Sequence, residues 1–160
     1  MIEGFGKLND AQFQQTKDAI AWITILVGGA DGEIDKEEKE WAAKVTKIRS
    51  YQYPTSLLMK FYEAVGAEYA TKLDDLIENA PKDTKERSEL FTRKIEQLND
   101  ILPLLDGNLG HYLSESYRSF AKHVAKASGG FLGFMSIDSE EHKLIDLPML
   151  KVVELEDDLA

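Results

Sequence analysis

The chain has 160 residues, 43% of them hydrophobic and 30% charged, which suits one globular domain spanning 1–160 rather than a disordered polymer. Its 29 acidic residues against 19 basic ones give a net charge of −10, which argues against nucleic acid or an anionic membrane surface as a partner and leaves cations and basic proteins. There is no cysteine, hence no disulfide framework and no thiolate metal site. No apolar run reaches the ~20 residues of a membrane span, and Met1-Ile2-Glu3-Gly4 is not followed by a secretory pattern, so the expectation is a soluble, cytoplasmic protein without direct membrane insertion.

In chain order, residues 1–9 read as a loose arm, with Phe5 able to dock. Asn9 or Asp10 caps a helix running to about Val27. Its last turns, Ala19 to Val27, are apolar nearly all round, the pattern of a fully buried helix. Gly28-Gly29 is expected to stop it through a left-handed residue. After an acidic loop, Asp35 and Glu38 form a capping box for a second helix that ends near Ser50 and buries Trp41, Val45 and Ile48. Pro54 opens a third helical region. Leu58, Phe61, Val65, Tyr69, Leu73 and Leu76 share a face of it, and one long helix or two with a break near Thr71 both fit. Asp83 and Glu86 cap the next helix, striped by Phe91, Ile95, Leu98, Leu102 and Leu105 and kinked or ended by Pro103. Asp106-Gly107-Asn108 is a turn, and Leu109 to about Ser128 is helical. Asp138 caps a last short helix stopped by Pro148, and residues 154–160 form a frayed acidic tail. No alternating strand pattern occurs, so the fold class is all-α, with six or seven helices.

The acidic loop stands out. From Asp31 to Glu40 there are six carboxylates and two lysines, a self-repelling density beside a helix junction. Asp31, Glu33 and Asp35 alternate, so a tight turn directs all three inward, and Glu38 reaches back from the first helical turn. Gly32 lets the backbone turn. Hard divalent cations take such oxygen shells. An EF-hand loop begins alike but has glycine at its sixth position and glutamate at its twelfth, where this chain has Lys36 and Ala42. Capping and the helix dipole alone account for Asp35, Glu37 and Glu38, but not for Asp31 and Glu33. Both readings, capped helices on an acidic surface and an oxygen-ligand site, stand at this point. His142 beside Glu141 suits a zinc site or a solvated helix surface, while His123 lies one turn before Gly129. No Ser/His/Asp set and no phosphate-cradling loop are present, so the reading is non-enzymatic.

The pattern Gly-Gly, then Ile-Asp-x-Glu-Glu, returns at Gly129 to Glu141, with Asp138 and Glu141 matching Asp35 and Glu38. The helices leading in match too. Phe13, Thr16, Ile20, Ile23 and Val27 line one face of the first, and Leu113, Tyr117, Phe120, Val124 and Ala127 line one face of the second. This reads as an internal duplication, two pseudo-symmetric helix–acidic loop–helix halves. The second loop carries Phe131, Leu132, Phe134 and Met135, which are expected to be buried.

Gly-Gly-Ala-Asp-Gly-Glu-Ile-Asp-x-Glu-Glu at Gly28 to Glu38, closing an apolar helix, resembles the tellurite-resistance TerB-like family. The resemblance covers the whole chain. It implies a compact domain of about seven helices in two halves, and clustered acidic residues that bind a divalent cation. Calcium comes first among the candidate ions, with magnesium, manganese or zinc as alternatives. It also implies a role in tellurite and stress resistance beside membrane-embedded partners of the same complex. The residues carried over are Asp31, Glu33, Asp35 and Glu38, with Gly32 as the turn, and Asp138 and Glu141 from the second loop. That loop lacks a counterpart of Asp31, so one shared site, or one strong and one vestigial site, fits better than a symmetric pair. The alternative is an acidic protein-interaction module with no functional metal.

Overall fold

The computed structural model describes residues 2–29, 36–52, 56–129 and 144–155, and for residues 37, 38, 41, 50–52 and 127–129 it describes the backbone alone. The elements are α1 (Asp10–Gly28), α2 (Lys36–Gln52), α3 (Ser56–Asn79), α4 (Thr84–Glu96), two short 3-10 helices (Gln97–Asp100 and Leu102–Leu104) and α5 (Leu109–Gly129). No strand occurs among the described residues, and the fold is all-α. The apolar loop with Phe131, Leu132, Phe134 and Met135 lies outside the described residues, and of the helix expected between Asp138 and Pro148 only the part from Leu144 is described, helical at Leu144 and Ile145 and not beyond.

The core is built around α1. Asn9 caps it in a reciprocal box: its Oδ1 accepts from the Gln12 amide at 2.8 Å, and Gln12 Oε1 accepts from the Asn9 amide at 3.0 Å. Every residue from Ala19 to Gly28 is buried. Such a helix has no solvent face and therefore collects neighbours on all sides. Along α3, Gln14 donates to Glu68 and Lys72 pairs with Asp18, while the Thr24 and Tyr69 hydroxyls meet at 2.7 Å. Along α4, running the opposite way, Arg87 meets Gly29 and Lys94 lies over the Trp22 ring, and just past its end Gln97 meets Gln15. On α5, the buried Tyr117 hydroxyl donates to the Thr16 carbonyl at 2.8 Å. Burial pushes the Tyr117 phenol well above its usual range, with nearby Tyr62 adding to the effect, so it stays a donor. Helix α2 folds back antiparallel on α3, with Arg49 at Tyr62 near one end and Lys39 at Asp74 near the other.

Several expectations need correction. The arm is not loose. Phe5 is fully buried, stacked on Phe61 and edge-on to Phe13, and the Gly4 carbonyl accepts from the Asp106 amide. Helix α2 continues past Ser50 to Gln52, and its buried positions are Ala42, Thr46 and Arg49, one residue out of step with the expected Val45 and Ile48, which are only half-buried. The polar members of that face are satisfied inside, Thr46 by the Ala42 carbonyl and Arg49 as described below. The stripe from Phe91 to Leu105 is buried throughout, yet α4 ends at Glu96 and the stripe continues through the two 3-10 helices. Their tighter winding brings residues three apart onto one side, which suits Leu98 followed by Ile101. Of the two readings left open for α3, one helix unbroken through Thr71 is the one found.

Two helical glycines have opposite environments. A Cβ on Gly66, in α3, would meet nothing within 4 Å, whereas one on Gly110, in α5, would lie 2.5 Å from the Leu102 carbonyl oxygen. Gly66→Ala should therefore raise stability by about 0.5–1 kcal/mol through helix propensity and a restricted unfolded chain. Gly110→Ala should lower it by about 1–3 kcal/mol through overpacking. Urea midpoints of the two variants check this, and equal effects would contradict it.

Candidate functional site

Helix α1 delivers the chain to the acidic loop in a fixed position. The Gly29 amide still donates to the Ile25 carbonyl at 2.9 Å, and Gly29 has φ −92° and ψ 5°. The expected left-handed stop is therefore absent at Gly28-Gly29. The helical bond pattern is simply completed there, and the Gly29 carbonyl turns to accept from Arg87 Nη2 of α4 at 2.7 Å. That guanidinium stands two residues before Asp31. On the exit side, α2 opens at Lys36, whose ammonium lies 3.7 Å from Glu40 on an exposed face, while Lys39 reaches Asp74 on α3 at 3.4 Å.

The proposed ligands Asp31, Glu33, Asp35, Asp138 and Glu141 lie outside the described residues, and so does His142. Glu38 has its backbone in the first turn of α2, while its side chain lies outside the description. Among the described residues no group of three or more His, Cys, Asp or Glu is arranged to hold a metal.

The sequence reading missed a buried cationic centre where α2, α3 and α5 meet. Arg49 is 6% exposed. Its Nη1 donates to the Tyr62 hydroxyl (3.0 Å), the Ser116 carbonyl (3.1 Å) and Ser116 Oγ (3.0 Å), and its Nη2 donates to Ser119 Oγ (3.0 Å). The guanidinium also stands over the Tyr62 and Phe120 rings, and the Tyr62 and Ser116 hydroxyls are hydrogen-bonded to each other. The planar fork of arginine permits this simultaneous reach across three helices. The available signal was Ser116, which stands beside Leu113 and Phe120 on the apolar side of α5, with Ser119 at its edge.

This centre acts on His123 one turn further along α5. Partial burial, the Arg49 charge and the Lys126 charge all hold the imidazole below its ordinary value of 6.5. At pH above 6.5 folded and unfolded chains are both neutral at this site. As pH falls, the unfolded chain takes the proton first, so stability present above pH 6.5 is lost on descending toward the depressed folded value. The urea midpoint should drop between pH 7.5 and 5.5, and His123→Asn should reduce that drop. Equal drops in parent and variant would contradict it.

A groove of about 290 Å³ runs between α2 and α3, lined by Ala43, Tyr62, Gly66, Tyr69 and Ala70. It continues past Leu73 towards Lys36, Lys39, Glu40 and Asp74, beside the start of α2. The Tyr69 hydroxyl turns away from it to Thr24, so the floor is apolar and the charges sit on the rim.

Among the described residues no helix is long and apolar enough to cross a membrane. Comparison with protein-family models, with curated proteins and with solved structures finds no match.

Proposed function

We propose that this chain is a non-enzymatic divalent-cation-binding domain of a tellurite or stress-resistance system, of the TerB-like kind. The observation that carries the reading is the set of six carboxylates from Asp31 to Glu40, which in the sequence run from just past the end of α1 into the first turns of α2. Asp31, Glu33, Asp35 and Glu38 supply oxygen ligands, with calcium first among the candidate ions because it accepts six to eight oxygens in flexible geometry. Asp138 and Glu141 belong to the second copy of the loop. The Arg87 clamp on Gly29 supports the reading because a rigid entry lowers the entropy cost of closing an ion shell.

The two-halves reading draws support from one bond. Thr16 and Tyr117 are paired positions of the two matching helices, and the Tyr117 hydroxyl donates to the Thr16 carbonyl. Contact between equivalent positions is what a pseudo-twofold axis passing nearby produces. Both helices also start near the arm, where Phe13 packs on Phe5 and Leu109 on Gly4. In this reading the segment after Asp138 adds a sixth α-helix to the five described. The resistance role, cytoplasmic placement and membrane-embedded partner proteins belong to the same proposal.

The groove between α2 and α3 favours a second reading, an acidic interaction module whose apolar floor receives a partner. Calorimetric titration of chelator-stripped protein with calcium, magnesium, manganese and zinc separates the two. Heat saturating at one or two equivalents supports the metal reading, and a flat titration with all four ions overturns it in favour of the module.

A further inference from the structure

We draw no further inference here: the strongest candidate, the apolar groove between α2 and α3 beside the open face of Gly66, carries nothing beyond the site already described, since nothing in the structure shows what covers it.

Discussion

Phe5→Ala should cost about 3–5 kcal/mol of stability, the range for emptying a fully buried aromatic site. The ring is completely enclosed, stacked on Phe61 with centroids 5.6 Å apart and edge-on to Phe13 at 5.3 Å. Such aromatic pairs add about 0.5–1.5 kcal/mol beyond burial. The arm has no repetitive structure to hold it otherwise, so losing the ring should also release the Gly4 carbonyl from the Asp106 amide. For a chain of this length the loss corresponds to a fall of roughly 6–20 °C in melting temperature. A change under about 1 kcal/mol would restore the loose arm suggested by the sequence.

Arg49→Ala should cost about 3 kcal/mol or more. It opens a cavity between α2, α3 and α5 and removes the donors that satisfy Ser116 and Ser119. Arg49→Lys should recover only part of the loss, because one ammonium cannot span Tyr62, Ser116 and Ser119 as a planar fork does. Urea denaturation of the two variants checks both statements. If the alanine variant unfolds at the parent's midpoint, the guanidinium is not a structural centre.

The helices that were legible are those whose periodic apolar face is also their buried face. In α3, Leu58, Phe61, Val65, Tyr69 and Leu73 are buried as their spacing requires, and in α1 the run from Ala19 to Val27 carries no polar residue but Thr24 to mark a solvent side. Helix α2 misled because its inner face holds Thr46 and Arg49, and polarity reads as exposure unless the partners are known. Thr46 is satisfied one turn back by Ala42, but the partners of Arg49, Ser116 and Ser119, lie far along the chain. The 3-10 helices were hidden because Phe91, Ile95, Leu98, Leu102 and Leu105 keep the alternating steps of four and three of an α-helix straight through them. The C-terminal segment was read as a short helix and a tail, since Leu147, Leu150 and Val153 bury themselves at steps of three without forming a helix past Ile145. Gly28-Gly29 announced a helix end correctly, but Arg87, which fixes the Gly29 carbonyl, is remote in sequence. The acidic ligands themselves were legible only as composition and spacing, and their side chains lie outside the described residues.

Paired melting curves of the parent, Asp31→Asn and Asp35→Asn, with and without calcium at constant ionic strength, test the metal reading most directly. Asparagine caps a helix about as well as aspartate, so both variants should melt like the parent without metal. At a free calcium concentration of 100 dissociation constants the parent should gain about 2.7 kcal/mol, a shift of roughly 5–10 °C, and both variants should lose most of it. A parent shift reproduced by sodium chloride of equal ionic strength, or a full shift retained by both variants, would contradict the metal site and leave these carboxylates as caps and surface charge.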